Sequence, residues 1–332
     1  MNSVPIHQIG VLTGREIIGD ALIKLPFLRA LRAAWPEAKV HWITTQDKTA
    51  YAGPLLKTVR PFLDEIHETP SWLKLPNDPE TPAFDLLIDT RGRWKLALEA
   101  RLSLPHKVFI APAFRYLFSD KRPSLLTPRP KRMIDRLLQT VELAAGYLPD
   151  VTERLPVSPE LLEKARRILP KGPVYVGFAV GAGNAIKKWP LENFEKVAQH
   201  QARLEYVPVF LLGPQEMDLY DRLFQAVPEA IFPLQAYDVW GTDKPQVDQT
   251  LAIAACLDVA LTNDSGTSHM LGAVDCPLVS LFGPTSASKL APKVTLGRVL
   301  CAQDFGSESM EVIPINVALD TLNQVILLQK RA

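Results

Sequence analysis

The chain carries no surplus of charge of either sign. Its 37 Lys and Arg residues stand against 36 Asp and Glu in 332 residues, a formal net charge of +1. The overall electrostatic footprint of a nucleic-acid binder is therefore missing, and only local patches remain to argue from. Cysteine is scarce as well. Cys256, Cys276 and Cys301 sit singly in apolar stretches, without CxxC spacing and without a nearby His pair that would suggest zinc. They read as buried thiols of a reducing compartment. No uninterrupted apolar run reaches the ~18–20 residues of a membrane span, and residues 1–10 lack the basic and then apolar pattern of a secretory leader. A cytoplasmic protein is expected, with neither short repeats nor low-complexity tracts.

What is present is an ordinary globular composition, 47% hydrophobic and 22% charged. A chain of 332 residues exceeds one typical core and predicts two domains of roughly 150 residues each. Its 29 prolines exceed the ~17 of average usage. Many fall between Pro54 and Pro130, which predicts loop-rich structure there.

Periodicity supplies the order of elements. An apolar run at 6–12 reads as a buried strand, 21–34 as a helix stopped by Trp35-Pro36, and 39–44 as the next strand. That succession is a βαβ unit and implies a parallel sheet with right-handed crossovers. Strands at 84–89 and 107–110 flank a helix at 94–104, and a strong helical pattern covers 132–146. A proline-rich stretch with a short helix at 160–168 then reads as a connection. The α/β pattern restarts with strands at 174–179, 207–212, 257–261 and 278–282 and helices at 191–201, 216–226 and 246–255. The reading is thus an N-terminal domain over 1–155, a linker over 156–172, a C-terminal domain over 173–316 and a terminal helix over 317–332. Both domains are expected to be Rossmann-like and doubly wound.

Three loops carry candidate chemistry. After the strand at 257–261 runs Asn263-Asp264-Ser265-Gly266-Thr267-Ser268-His269, which passes into a helix. The first N–H groups of a helix lack partners and bear positive partial charge, and glycine lets a phosphate approach the backbone, so this segment suits an anion. Simple N-capping by Asp264 or Ser265 accounts for the same residues equally well. A second loop, Val180 to Pro190, opens with Gly181-x-Gly183 but has Ile186 at the third glycine position of a dinucleotide fingerprint. That argues against a dehydrogenase. Its Lys187 and Lys188 stand before a helix expected to begin at Pro190, and either meet a diphosphate or form a solvated face.

The third loop, Thr13 to Asp20, has the glycine spacing of a Walker A sequence but places Asp20-Ala21 where Lys and Ser/Thr are required. This excludes the phosphate-loop NTPases. Asp20 either complements a helix dipole or acts as a general base. Finally, Arg115, Lys121, Arg122, Arg129, Lys131, Arg132 and Arg136 are opposed only by Asp120 and Asp135 between residues 109 and 136. This local positive patch suits an acidic partner or is a solvated face.

Taken in order, these segments resemble the bacterial heptosyltransferases of glycosyltransferase family nine, across nearly the whole chain. The resemblance rests on Gly19-Asp20, Leu28-Arg29-Ala30-Leu31-Arg32 closed by Trp35-Pro36, and Phe84-Asp85-Leu86-Leu87-Ile88-Asp89. It continues through Lys187-Lys188-Trp189-Pro190, Asn263 to His269 and Phe282-Gly283-Pro284-Thr285. It implies the GT-B architecture, two Rossmann-like domains facing a central cleft. It further implies inverting transfer from a nucleotide-diphosphate sugar, ADP-heptose in family members, to a hydroxyl of an acidic lipopolysaccharide-core acceptor.

In that scheme Asp20 is the catalytic base and Lys187 a diphosphate ligand. Asp264, Ser265, Gly266, Thr267 and His269 complete the donor site, Glu216 lies near the donor ribose, and the backbone at Ala182 and Gly183 runs along the phosphates. Arg115, Lys121 and Arg122 are expected to receive the acceptor, at the cytoplasmic face of the inner membrane. No cofactor and no metal is required, because Lys187 and the helix amides stabilise the leaving charge. A nucleotide-sugar epimerase or hydrolase, or a silent nucleotide-sugar-binding relative, would share the scaffold. Arg15 and Glu16 depart from the family pattern, in which those positions are often small or hydroxylated, and are expected to alter which donor or acceptor fits.

Overall fold

The computed structural model describes residues 5–73, 78–124, 126–150 and 154–331. Residues 1–4 of the opening stretch, read above for a leader, lie outside the described residues. The chain divides into two compact units, Met1–Glu153 and Arg154–Ala332. Each is built on a five-stranded sheet whose strand pairs are all parallel.

In the first unit the strands are β1 (Gln8–Thr13), β2 (Lys39–Thr44), β3 (Glu65–Glu68), β4 (Phe84–Asp89) and β5 (His106–Ile110). They lie in the order β3-β2-β1-β4-β5. Every residue of β4 is buried, as expected of a parallel strand covered on both faces. One face packs Phe84, Leu87 and Phe109 against Ala97 and Ala100 of the helix Trp94–Ser103. On Trp42's face the ring of Phe27 approaches to 6.4 Å, bringing in the helix Leu25–Ala34, which in turn packs on the helix Met133–Ala145.

The sequence predicts one helix over 21–34, but the structure breaks it at Lys24 into Ile18–Ile23 and Leu25–Ala34. Pro26 is the reason. It has no N–H for the preceding turn, so it is tolerated only where a new helix begins. Met133–Ala145 ends at Gly146, whose φ of 84° is the left-handed C-cap that glycine adopts without a Cβ clash. Strand β3 is not anticipated, since its sequence Glu65-Ile66-His67-Glu68 is short, polar and at the sheet edge.

The second unit contains β6 (Tyr175–Ala179), β7 (Val207–Phe210), β8 (Val259–Asn263), β9 (Leu278–Phe282) and β10 (Gly297–Cys301). Their order is β10-β9-β8-β6-β7. The span expected to be a linker holds the helix Pro159–Ile168, which packs on the helix Val247–Ala254 and so belongs to this unit. The C-terminal helix Ile315–Gln329 was read above as a segment of its own. Instead Ala318, Leu322, Val325 and Ile326 are buried in the second core, against β8, β9 and the helix Leu191–Arg203. Cys256 and Cys276 are buried as expected, whereas Cys301 is only partly covered.

Each strand order reverses direction once, between β1 and β4 and between β6 and β8. Open α/β sheets bind ligands outside the carboxyl ends of the strands at such switch points. The loops singled out from the sequence leave the carboxyl ends of β1, β6 and β8.

Candidate active site

At the switch point of the second sheet, one buried side chain fastens two loops together. Asn263, the last residue of β8 and fully buried, donates from Nδ2 to Val180 O at 2.8 Å and accepts from Trp189 N at 3.0 Å. It thereby holds both ends of the loop that follows β6. The Trp189 indole, itself buried, donates to Ile313 O at 3.0 Å. The loop is rigid at its base, and Lys187 is carried on the short 3-10 turn Ala185–Lys187.

Lys187 Nζ donates to Asp264 Oδ2 at 2.8 Å, and Thr285 Oγ1 donates to the same oxygen at 2.6 Å. Asp264 is buried. Its carboxylate is thus spent on orienting the ammonium rather than on capping a helix. Capping falls to Ser265, whose Oγ accepts from Ser268 N at 3.4 Å, at the start of the helix Gly266–Ala273. That helix begins at Gly266. The Gly266 and Thr267 amides therefore open it, and such first-turn N–H groups have no intrahelical acceptor. A lysine ammonium and a helix N-terminus in one place present fixed positive charge, the electrostatics that suit an anion.

Glu216 and His269 border this centre. Glu216 precedes the turn Met217–Leu219, not inside a helix over 216–226 as the sequence suggests, and its Oε2 accepts from Gly213 N at 3.1 Å. A Cβ on Gly181 would lie 2.4 Å from Glu216 Oε1, so the first glycine of the loop exists to admit this carboxylate. Burial raises the Glu216 carboxyl above the ordinary range, against the pull of Lys188. Burial likewise lowers His269 to about 4, outweighing Asp264, so its imidazole is neutral at physiological pH. Ala182 is buried, while Gly183 is exposed with open space where a side chain would stand. Pro190 lies just outside the helix it was expected to open, which runs Leu191–Arg203.

In the first unit Asp20 is exposed in the first turn of the helix Ile18–Ile23. Its neighbours differ from expectation. Glu16 is buried beneath the loop, where it accepts from Trp42 Nε1 at 2.7 Å and Thr49 Oγ1 at 3.0 Å and pairs with the buried Lys24. Lys24 also donates to Thr13 Oγ1 at 2.7 Å. Glu16 is thus an anchor of the loop. Arg15 points to solvent, 3.5 Å from Asp47. Across the switch point, Asp89 at the end of β4 accepts two bonds from the Arg91 guanidinium, at 2.9 and 2.8 Å.

The basic segment is divided. Arg115 and Arg122 are exposed, and Arg115 lies in a turn where Phe114, Arg115 and Tyr116 all have positive φ, 48°, 56° and 63°. Lys121 is otherwise engaged, donating to Ala144 O at 2.8 Å near the end of the helix Met133–Ala145. That is the place where a cation complements the helix dipole. A cavity of about 640 Å³ bordered by Tyr175, Asp258, Asp275 and Pro277 opens at the amino ends of the second sheet's strands, away from the loops described. No helix among the described residues is long and apolar enough to cross a membrane.

Residues 74–310 match the family model described as glycosyltransferase family 9 (heptosyltransferase). The chain belongs to glycosyltransferase family 9. The match takes in every loop of the second site, while Asp20 precedes it. Lipooligosaccharide heptosyltransferase 2 of Haemophilus influenzae is 29% identical over 142 residues, which is 42% of this chain and 40% of that protein. The enzyme of the same name from Campylobacter jejuni is 25% identical over 270 residues, 76% of this chain and 82% of its own. The structure described as E. coli ADP-heptose lps heptosyltransferase II shares the fold, with a TM-score of 0.68 at 22% identity over 97% of this chain and 99% of that one. The family 9 architecture is thus the GT-B pair of Rossmann-like sheets.

Inspection of the sequence missed two members of the site. Thr285 is visible in the sequence only through the family resemblance, yet it is the second donor to Asp264. Asn263 was read as the start of an anion loop and is instead its staple. A polar residue closing an otherwise apolar strand was the available signal.

Proposed function

We propose that this family 9 protein is an inverting glycosyltransferase that needs no metal, moving heptose from ADP-heptose to a hydroxyl of an acidic, lipopolysaccharide-core-type acceptor. The observation that carries the reading is the Lys187 ammonium, held 2.8 Å from the buried Asp264 carboxylate beside the opening of the helix Gly266–Ala273. As the sugar leaves, charge builds on the nucleotide diphosphate. A fixed ammonium and unpaired helix amides stabilise that charge without reorganising, which is where electrostatic catalysis is strongest. Glu216 meets the donor ribose, and the neutral His269 borders the phosphates. Ala182 and Gly183 supply backbone along them.

Asp20 takes the acceptor proton as the oxygen attacks the anomeric carbon from the face opposite the diphosphate. Arg115 and Arg122 receive the negative groups of the acceptor, while Lys121 positions their segment through the helix end at Ala144. An exposed basic segment on a protein with no spanning helix among its described residues favours peripheral attachment at the anionic cytoplasmic face of the inner membrane.

A thermal-shift panel of nucleotide-diphosphate sugars, read with NMR of the products, tests the proposal. ADP-heptose at 100 times its Kd is expected to add about 2.7 kcal/mol of stability. Its heptose is expected to leave only when an acceptor is present. No shift with any nucleotide sugar, or donor turnover without acceptor, overturns the reading.

A further inference from the structure

On the first sheet, at the edge formed by β2 and β3, three donor atoms converge. His41 lies on β2 directly opposite Glu65 on β3, and His67 follows two residues later on the same face. His41 Nδ1 is 3.1 Å from His67 Nε2 and 3.2 Å from Glu65 Oε2, and His67 Nε2 is 3.1 Å from the same carboxylate oxygen. The three atoms form a nearly equilateral triangle. An ion bonded at ~2.0–2.1 Å to imidazole nitrogen and carboxylate oxygen in tetrahedral geometry sets its ligand atoms roughly 3.3 Å apart.

Proton counting points the same way. His41 Nε2 is 2.8 Å from Gln8 Oε1, an acceptor, so the ring donates there and its Nδ1 presents a lone pair. His41 Nδ1 and Glu65 Oε2 are thus two lone-pair acceptors that both face His67 Nε2. A cation at the centre satisfies all three, and the Gln8 carbonyl supplies the outer partner that metal-bound histidines characteristically have.

We propose that His41, Glu65 and His67 form a site for a divalent transition metal of the zinc class, which cross-links the edge strand β3 to β2. The site stands apart from the donor machinery, in the first unit, and involves none of the residues assigned to catalysis. Its role is mechanical. β3 has only four residues, none of them buried, and apolar burial alone anchors such a strand weakly. A metal bridging His41, which is buried, to two β3 side chains ties the strand to the core. Lys39 pairs with the other oxygen of Glu65, leaving Oε2 for the ion, and water completes the coordination.

The test uses the untagged full chain, stripped with chelator and dialysed against ZnCl₂ or CoCl₂. One zinc per chain by elemental analysis and the intense visible absorption of four-coordinate Co²⁺ are expected. Glu65→Gln and His67→Gln are each expected to weaken zinc at least 100-fold and to abolish the cobalt spectrum. Gln8→Ala, which leaves the three ligands in place, is expected to weaken it by about 10–100-fold. Zinc retained equally by wild type and the Glu65→Gln/His67→Gln double variant overturns the proposal, as does an unaltered cobalt spectrum in His67→Gln. Thermal shift by ADP-heptose is expected to survive in His67→Gln, so failure of this proposal is separable from failure of the transferase reading.

Discussion

Lys187 and Asp264 lie 77 positions apart in the chain, yet Lys187 Nζ donates to Asp264 Oδ2 at 2.8 Å. The pair joins the loops on either side of the switch point of the second sheet. Asp264 is nearly inaccessible, with 6% of its side chain exposed, against 27% for Lys187. The pair therefore aims a cation outward from a fixed, buried counter-charge.

Lys187→Met would leave that carboxylate buried, with Thr285 its remaining side-chain donor among the described residues. A stability loss of about 3 kcal/mol is expected, the lower end for removing one partner of a buried pair, measured by urea unfolding. ADP affinity is expected to fall at least tenfold by calorimetry, and Lys187→Arg to recover most of it.

Gly181→Ala sets a methyl 2.4 Å from Glu216 Oε1. The obstructing atom is the end of a flexible side chain, so Glu216 rotates away and the fold persists with a change under about 1 kcal/mol. The donor KM is expected to rise five-fold or more with kcat little changed, the signature of lost uniform binding.

His269 makes stability depend on acid. Burial keeps its imidazole neutral in the folded protein down to about 4, whereas the ordinary value is 6.5. Between these values the unfolded chain binds the extra proton. The contribution is whole above about 6.5 and is lost as pH falls toward 4, by at most about 3 kcal/mol. Unfolding free energies from pH 7 to 4 are expected to fall less steeply in His269→Gln than in wild type.

Asp20→Asn removes the proposed base while keeping shape. With ADP-heptose and acceptor, kcat is expected to drop by about 10²–10⁴, with the donor Kd within threefold of wild type. Full activity in this variant would remove Asp20 from the mechanism.

Glu16→Ala leaves the Lys24 ammonium buried without its counter-charge, a loss of about 3–5 kcal/mol. Adding Lys24→Met should recover much of it, because the uncompensated charge is then gone. Denaturant midpoints of the single and double variants check both statements.

Much of this protein was legible in its sequence because its signals are local. Apolar runs such as Phe84 to Asp89 and Leu278 to Phe282, spaced by amphipathic helices, specify parallel sheets regardless of what lies elsewhere in the chain. The small polar residues after Asn263 mark a helix start on the same grounds. Pairing across the sheet is another matter. Whether Asp264 caps a helix or grips Lys187 depends on a partner 77 residues away, and local periodicity carries no record of it.

Glu16 shows the same limit from the other side. Beside Arg15 it reads as a surface charge, and only the fold brings Trp42, Thr49 and Lys24 around it. The short strand β3 escaped notice because four polar residues have no pattern of their own, and register with β2 alone brings Glu65 and His67 to His41. Sequence by itself determined which segments become strands, helices and loops. Tertiary structure decided which charges are buried and with whom, since burial and hydrogen bonding are properties of neighbours in space.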